Sequence, residues 1–538
     1  MSGASVFELS VVRDAAGVLA LRGEWDALWQ RSTPRHVFLA HGWQRAALRA
    51  YPERRPLVIV ARRGGALAGV LPLAEAGGTL RFLGAPWADY NDVLVDPALD
   101  GGAILALLEA LLLCAAKHGG AVLDNVREDA VLARLRGRTR LGAVALALRF
   151  RCRCPTVIVG DGVIEELVKK KSLVRHEKKL ARLGAVALHD VTGREAIAAQ
   201  LPEFFAQHSR RRAFAGDGLV FREPAARAFF GALFDELGPE QAVLSVLRCG
   251  DRSAAMHVGF VSDGGFLWYK PTFDVELWDL GPGEVLLKHL LASCRRRGST
   301  EFDFTIGEED FKFRFANRTR EAWTIHVLAP GLRGLRGGLA LRARAAIQRR
   351  PRLAATLRRL RARLAGGHAP QDGVRALAAV TGARSSSRVC TSRELGLAEL
   401  ADRALAGTPG FGAHELSALR RRQKDGAVFE IALDGRAVAL ASCGALAALA
   451  RTARFDAGFE PGPNEPLLEL GWRVAGLPDA ALRSVLEALL ALAPAAAPRV
   501  WLALDEGDRP LVEAALRGDA IVRGRLAPPA QQSAEIAD

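Results

Sequence analysis

The stretch that decides the fold is DLGPGEVLLKHLLASCRRRG, which runs from Asp279 to Gly298. Two glycines flank a proline, and an apolar stripe at helical spacing follows until three arginines close it. The first turn of a helix leaves backbone N–H groups unpaired at the positive end of the helix dipole, so a turn without side chains can hold a phosphate. The more common role of Gly-Pro-Gly is a tight connection in which the proline starts the helix. The motif alone leaves both roles open.

Length and composition indicate how many domains the chain can form and whether it is a membrane or secreted protein. The 538 residues suffice for three domains, and a hydrophobic content of 50% is ample for packed cores. The longest apolar runs, such as Ile104 to Ala116, are too short to cross a bilayer, and the N-terminal residues lack the charged start and apolar core of a secretion signal. We therefore expect a cytoplasmic protein.

The seven cysteines are scattered, and their spacing does not suit zinc. Cys152 and Cys154 are separated by one arginine, so a strand would turn both side chains to the same face. We expect reduced, structural cysteines and no metal site.

The net charge of +15 is concentrated in one segment. Between Gly331 and Gly367 there are eleven arginines and no acid, which leaves +4 for the other residues. Leucines at helical spacing after Pro351 predict a basic helical linker. Such a helix either packs its leucine stripe on a neighbouring domain or lies on an anionic membrane surface, which would make the protein membrane-peripheral.

An internal repeat organises the chain. Three apolar hairpins, at Leu57–Ala74, Ala242–Val261 and Ala427–Cys443, are each followed by an apolar helix, a short strand and an acidic turn. This order predicts mixed α/β units in tandem. We expect an N-terminal unit over residues 1–150, a middle unit over 151–330, the basic linker over 331–384 and a C-terminal unit over 385–538.

The middle unit alone has the glycine pair around proline. The first unit offers Asp100, Gly101 and Gly102 at that place. The third offers Leu477, Pro478 and Asp479, and a carboxylate at Asp479 would cap a helix but repel a phosphate. This asymmetry indicates one active unit beside degenerate copies and favours phosphate binding in the middle unit.

The middle unit resembles the GNAT acyltransferases, and most closely the tandem-GNAT branch that includes CelD/BcsL-type proteins of cellulose biosynthesis and is related to the Fem peptidyltransferases. The resemblance covers about residues 150–330. The first unit resembles the same branch more loosely, through Val37–Trp43 and Trp87–Asp92. The third unit shares only the order of its elements and matches no motif of the family. The segments that carry the resemblance in the middle unit are KKKSLVRHEKKLARLGAV from Lys169, FFAQHSRRR from Phe204, FLWYKPTFDVE from Phe266, LGPGEVLLKHLL from Leu280 and FDFTIGEEDFKFRF from Phe302.

The resemblance implies an acyl-coenzyme A donor, acetyl-coenzyme A or another, whose pyrophosphate lies on the glycine turn. It also implies that strands Gly265–Phe273 and Glu301–Ile306 part to admit the amide arm of the donor. Phe273 and Phe311 replace tyrosines that are usual in the family, so any role of those hydroxyls is absent. The expected donor-binding residues are Leu280, Gly281, Pro282, Gly283, Glu284 and Val285.

Acyl transfer needs a base for the attacking group and an acid for the departing thiolate. Tyr269 is the candidate acid, with core packing as its alternative role. Asp303, Glu308 and Glu309 are candidate bases, although Asp303 could instead form a structural ion pair with Lys312 or Arg314.

The residues expected to bind the acceptor lie in both units. His208 could lie over the acceptor channel, and an imidazole suits proton transfer near neutral pH. The basic helix from Lys169 could hold an anionic acceptor, such as a nucleotide-linked sugar or a lipid phosphate, or could simply be solvated. The expected acceptor-binding residues are Asp89, Tyr90, His208, Asp274, Lys312 and Arg314, and Asp92 also shapes the cleft.

Together these features predict an acyltransferase that moves an acyl group to an amine or hydroxyl in envelope or exopolysaccharide synthesis, without a metal or a covalent intermediate. The alternatives are a Fem-like transfer from aminoacyl-tRNA, the only case in which nucleic acid is expected to bind, and a non-catalytic scaffold.

Overall fold

A computed structural model describes residues 7–216 and 220–331. Farther on it describes 375–380, 390–408, 411–423, 426–434, 436–445, 466–473, 477, 479–494, 500–505 and 520–526. The chain forms two compact units: the first contains the described residues up to Ala206 and from Val220 to Gly331, and the second contains 207–216 and those from 375 onward. Most of the expected basic linker lies outside the described residues.

The N-terminal half of the first unit forms one side of a mixed sheet. Strands β1 to β4 pair in order and antiparallel, and β4 then pairs with β6 in parallel. The elements are β1 (Glu8–Val12), α1 (Ala15–Ala20), α2 (Arg22–Arg31), α3 (His41–Ala50), β2 (Pro56–Arg63), β3 (Ala66–Ala76), β4 (Thr79–Phe82), β5 (Leu94–Val95), α4 (Gly101–Lys117) and β6 (Ala121–Arg127).

The second half of this unit repeats the same order. Strands β9 to β12 pair antiparallel, and β12 pairs with β13 in parallel, so the predicted repeat is present in the strand topology. The elements are β7 (Arg140–Leu141), β8 (Val144–Ile158), α5 (Val163–Val168), α6 (Lys171–Leu180), β9 (Val186–Val191), α7 (Arg194–Ala215), α8 (Pro224–Leu237), β10 (Ala242–Cys249), β11 (Arg252–Ser262), β12 (Gly265–Phe273), α9 (Pro282–Arg296), β13 (Glu301–Asp303), α10 (Asp310–Phe313) and β14 (Arg318–Val327).

Two long strands join the halves into one sheet. β14 pairs with β6 of the first half and with β8, and β8 pairs in turn with β13 of the second half. The expected boundary at residue 150 therefore falls inside β8. One face of the sheet carries a core that both halves share, in which Trp43 packs edge to face on Phe260 at 5.3 Å. The opposite face carries separate cores under α4 and under α9.

The second unit contains the third copy of the repeat. Strands β16 to β19 pair antiparallel and β19 pairs with β20 in parallel. Leu486 and Leu489 of the helix Asp479–Ala491 belong to the same buried core as Ile431. The elements are β15 (Arg375–Val380), β16 (Cys390–Glu394), α11 (Leu397–Leu405), α12 (Ala413–Gln423), β17 (Gly426–Leu433), β18 (Arg436–Ala445), β19 (Pro466–Arg473), α13 (Asp479–Ala491), β20 (Val500–Asp505) and β21 (Ala520–Leu526).

Candidate functional site

The two glycines before α9 are present for different reasons. Gly281 is left-handed, with φ +69°, and a Cβ there would lie 2.6 Å from the His176 ring on α6. Gly283 has an ordinary φ, and a Cβ there would be 3.4 Å from the Phe273 ring, which is normal contact. Packing therefore requires glycine at 281, whereas nothing in the packing requires it at 283.

The start of α9 offers one open backbone donor. Pro282 has no N–H, and the N–H groups of Glu284 and Val285 donate to the Gly281 carbonyl at 3.1 and 3.2 Å. The helix has no side-chain cap. Within the part of the chain that the structure describes, the Gly283 N–H is left without an acceptor, at the positive end of the helix dipole.

Charged side chains surround this helix start. The Glu284 carboxylate lies 3.0 Å from His176 Nδ1 and 3.4 Å from Arg314 Nη2, and Lys170 donates to the Arg314 carbonyl. Lys170, His176 and Arg314 lie where an anion could meet them, but Glu284 already contacts His176 and Arg314. Asp274 caps the preceding turn by accepting from the Glu276 N–H at 3.0 Å and from Arg252 Nε at 2.6 Å. Its acceptor-binding role stays a prediction.

β12 and β13, the two strands expected to part, stop pairing partway along β12. β12 and β13 pair over three residue pairs that end at Leu267 and Asp303. Beyond them, Thr305 has a left-handed φ of +59° and its Oγ1 donates to the Trp268 carbonyl at 3.3 Å. On the other side of β12, the Tyr269 N–H donates to His257 Nε2 at 3.1 Å, and burial lowers the pKa of His257 to about 3, so the ring is neutral.

Asp303 is the centre of a buried network. Its Oδ2 accepts from Arg127 Nη1 at 2.7 Å, and its Oδ1 accepts from the Tyr90 hydroxyl at 2.8 Å and the Thr305 N–H at 2.7 Å. Burial raises the pKa of Asp303 and Arg127 opposes that shift. Burial likewise disfavours the charge on Arg127, but the carboxylates of Asp303 and Asp129 outweigh it and raise its pKa.

The ion-pair partner expected for Asp303 was wrong: Arg127 takes that place, and Lys312 and Arg314 do not. Lys312 is buried, and its Nζ donates to the Ile306 carbonyl at 2.9 Å and lies 2.8 Å from Glu309 Oε2. Arg314 is exposed and reaches Glu284. Because Lys312 closes the turn at Gly307, where a Cβ would lie 2.6 Å from its Nζ, the sequence block from Phe302 is held together as a structural motif.

The geometry does not favour Tyr269 as an acid. Its hydroxyl donates to the Trp87 carbonyl at 2.5 Å, and its ring packs on Phe260 with centroids 5.0 Å apart. Burial, with a smaller effect of the Asp89 charge, raises its pKa well above the ordinary value. Glu308 is exposed and binds Arg153 at 2.8 Å, a hydrogen bond that lowers its pKa. Both catalytic roles stay predictions.

Asp89 is a largely buried carboxylate on the loop between β4 and β5. It is 5% exposed, and no described group donates a hydrogen bond to it. It belongs to the loop that also carries Trp87 and Tyr90, so it lies close to Tyr269, whose pKa its charge raises. Buried carboxylates normally accept hydrogen bonds, and one that does not is a candidate for contact with a substrate.

Two other predicted residues lie elsewhere. His208 is in the segment of α7 that packs as part of the second unit, so the structure does not group it with Asp89 and Asp303. Asp92 accepts from the N–H groups of Val131 and Leu132 at 2.6 and 2.9 Å and thus caps a short 3₁₀ turn.

Sequence reasoning missed Arg127, His176 and Asn125. Arg127 and His176 act on partners more than 100 residues away in the sequence. Asn125 has a left-handed φ of +59° near the end of β6, as Thr305 has just after β13. The Asp124-Asn125 pair at the end of an apolar strand could have indicated this left-handed residue, because Asn adopts a left-handed φ more readily than most residues.

The comparisons with known proteins concern mainly the first unit. Residues 169–313 match a family model described as an acetyltransferase (GNAT) domain. No curated protein matches the chain. This family match and the repeated strand order support the expected fold class: mixed α/β with tandem GNAT-like units and a third copy. Within the residues described, no helix is long and apolar enough to span a membrane.

Several solved structures are similar at low identity. FemX shares 13% identity over 57% of this chain and 96% of its own, with a TM-score of 0.41. A tandem GNAT protein from the clavulanic acid biosynthesis pathway shares 16% over 60% of this chain and 100% of its own, with a TM-score of 0.36. L-PGS from Bacillus licheniformis shares 12% over 61% of this chain and 97% of its own, also with a TM-score of 0.36. Similarity at this level assigns no activity.

Replacing Arg127 with methionine should lower the free energy of unfolding by about 3–5 kcal/mol, because the Asp303 carboxylate would remain buried without its cation. The matched control is Arg153→Met, which removes the half-exposed pair with Glu308 and should cost at most about 1 kcal/mol. Chemical denaturation measures both. Equal losses would show that the buried pair contributes no more than a surface pair.

Asp92 should make stability depend on pH. Burial raises its pKa from 3.8 to about 7, although backbone N–H groups oppose the shift. The folded state therefore holds this proton more tightly, and the resulting stability is complete below about pH 4 and is lost as the pH rises to about 7. In the wild type this group contributes a slope of about −1.4 kcal/mol per pH unit between about pH 5 and 7, which Asp92→Asn should remove. Identical slopes in denaturation series would contradict the shifted pKa.

Proposed function

We propose that the chain is an acyltransferase whose middle unit takes the acyl group from acyl-coenzyme A. One observation carries this: β12 and β13 part directly beside the uncapped start of α9, within the segment that matches the GNAT domain model. The Gly283 N–H and the helix dipole would hold the pyrophosphate, with His176 and Arg314 at the same helix start. The parted strands would pair with the amides of the donor arm.

Asp89 is the base in this proposal. An acceptor amine or hydroxyl attacks the thioester carbonyl and forms a tetrahedral intermediate, while Asp89 takes the proton that the acceptor loses. The carbon–sulfur bond then breaks and coenzyme A leaves as a thiolate. Asp89 suits this step because its oxygens accept no hydrogen bond from described groups, whereas both oxygens of Asp303 are already occupied. The expected acceptor remains an amine or hydroxyl in envelope or exopolysaccharide synthesis.

A basic groove favours a second candidate, a transfer from aminoacyl-tRNA. The groove runs along α6, has a volume of about 430 Å³, and could receive a polyanion. Its charged lining consists of Lys169, Lys171, Arg175, Lys178, Lys179 and Arg182.

Replacing Gly283 with aspartate should weaken binding of coenzyme A by about thirtyfold, or ~2 kcal/mol, because a carboxylate would stand where the phosphates bind. Gly283→Ala, whose Cβ fits against Phe273, should weaken binding less. The matched control is Gly23→Asp, also at the second residue of a helix, with open space around it. Calorimetry with coenzyme A measures all three.

The same titration distinguishes acyl-coenzyme A from aminoacyl-tRNA as the donor. Unchanged affinity in a folded Gly283→Asp protein would overturn the donor site. Binding of transfer RNA without any binding of coenzyme A, lost when Lys178 and Lys179 become glutamate, would favour the second candidate instead.

Replacing Asp89 with asparagine should lower the rate of acyl transfer by about 10²–10⁴-fold without changing the affinity for coenzyme A, because only proton transfer is lost. Release of free thiol from acetyl-coenzyme A measures the rate, with water and then a panel of amines as acceptors. Asp161→Asn, at an exposed position, is the control. A full rate in Asp89→Asn would exclude this residue as the base.

A further inference from the structure

Two cysteines that the acyl transfer does not use lie on the same face of β8. Cys154 is completely buried in the core that both halves of the first unit share, and Cys152 is half-buried and packs against the same core. The Cys154 thiol donates a hydrogen bond to Cys152, so the two side chains are in contact. One member of the pair is therefore partly exposed, and the other is enclosed behind it.

Cys152 has the surroundings of a reactive thiol. The hydrogen bond from Cys154 lowers the pKa of Cys152, and the Gly307 N–H and the Arg151 charge act in the same direction, although burial opposes them. The thiolate is the form that attacks a disulfide, so a lowered pKa at a partly exposed position favours reaction.

Other cysteines of the first unit lack these surroundings. Cys249 Sγ donates to the Leu180 carbonyl at 3.2 Å, and Cys294 Sγ donates to the Glu301 carbonyl at 3.6 Å. Burial raises the pKa of both thiols, and it also raises the pKa of the half-buried Cys114. A thiol that stays protonated is a poor nucleophile, so these three should react slowly.

The spacing of Cys152 and Cys154 allows a disulfide that can be reversed. Residues i and i+2 of a strand have Cα atoms about 6.4–6.8 Å apart, at the long end of the span of about 4.4–6.8 Å that a disulfide bridges. Beside the pair, β14 pairs with Phe150 and Cys152 and passes over Arg151, and such a bulge lets the strand bend. A disulfide closed near the limit of its span is more easily reduced than a relaxed one.

Cys154 connects the cysteine pair to the network around Asp303. The Tyr90 hydroxyl, which donates to Asp303 Oδ1, and the Asp303 carboxylate both lie beside the Cys154 thiol. A covalent bond would bring the two sulfur atoms to about 2.05 Å, and it would shift the Cys154 sulfur from the position in which it contacts Tyr90. Tyr90 is completely buried, and buried groups lose contact energy when a neighbour withdraws. Oxidation should therefore loosen the loop that carries Tyr90.

We propose that Cys152 and Cys154 form a reversible thiol–disulfide switch, which a low-molecular-weight disulfide such as glutathione disulfide oxidises. The Cys152 thiolate attacks one sulfur of the oxidant, whose S–S bond breaks and releases one glutathione thiolate. The Cys154 sulfur then attacks Cys152 Sγ in the mixed disulfide and gives its proton to the second glutathione as that leaves. The two protein thiols lose two electrons and two protons, and the oxidant becomes two thiols.

Treatment of the full chain with glutathione disulfide, followed by peptide mapping in a mass spectrometer, tests the switch. The disulfide between Cys152 and Cys154 should form at least about tenfold faster than a mixed disulfide at any other cysteine, and excess reduced glutathione should reverse it. Cys154→Ala should stop the reaction at a mixed disulfide on Cys152, and Cys152→Ser should abolish both products. The control is Cys114→Ser, at another half-buried cysteine, which should change neither. Thermal melting confirms that each variant folds.

Amide hydrogen exchange of residues 87–92 measures the effect on the loop. Oxidation should accelerate exchange there by about tenfold, the equivalent of one lost hydrogen bond. The disulfide together with faster exchange would support the proposal. A mixed disulfide on Cys152 that does not close, equal reaction of all the cysteines, or a disulfide that leaves this exchange unchanged would overturn it. Neither measurement involves coenzyme A, so failure of the switch and failure of the proposed donor site remain distinguishable.

Discussion

The buried ion pair between Arg127 and Asp303 fixes the geometry of the first unit, because it joins the two halves at the strand where the middle unit opens. Charges taken out of water are tolerated only when they are paired and their remaining hydrogen-bonding capacity is used. Tyr90 and Thr305 use the remaining capacity of Asp303. The end of β12–β13 pairing, the loop that carries Asp89 and the last residue of β6 are therefore held by a single network. A change in any one of them would disturb the others.

The sequence block from Phe302, which is the most specific part of the resemblance, does not supply the polar atoms that are available to a substrate. Asp303 and Lys312 have their polar atoms engaged within the protein, and the Tyr269 hydroxyl already donates to a carbonyl. A group that must exchange a proton with a substrate needs an atom that the protein itself leaves free. Among the residues described, Asp89 meets that condition, since no described group donates a hydrogen bond to it. It belongs to the segment Trp87–Asp92, which the sequence had already indicated as part of the acceptor site.

The sequence was sufficient for features that depend on local pattern. Hairpins, apolar helices and the Gly281–Gly283 turn follow from periodicity and turn chemistry, so the repeat could be predicted, whereas the parting of the two strands was expected only from the family resemblance. Partners across the fold could not: Arg127 lies 176 residues from Asp303, and no local pattern encodes that distance. The expected boundary at residue 150 falls inside β8, which continues through it to pair with β14, a strand near the end of the unit. His208 was grouped with the site from its sequence neighbours, whereas contacts place its segment in the second unit.

The two copies in the first unit differ at the points that decide what each can bind. α4 carries its own carboxylate cap at Asp100, which satisfies the N–H groups that α9 leaves to an anion. A single residue pair joins β4 and β6, and the nearby Asn125 Oδ1 is buried without a donor, whereas Thr305 bridges from the end of β13 to β12 in the middle copy. The cap on α4 therefore closes, in the first copy, the helix start that the middle copy leaves open. The two copies are therefore not equivalent sites for a phosphate-bearing donor, which is the reason the proposed donor site lies in the middle unit alone.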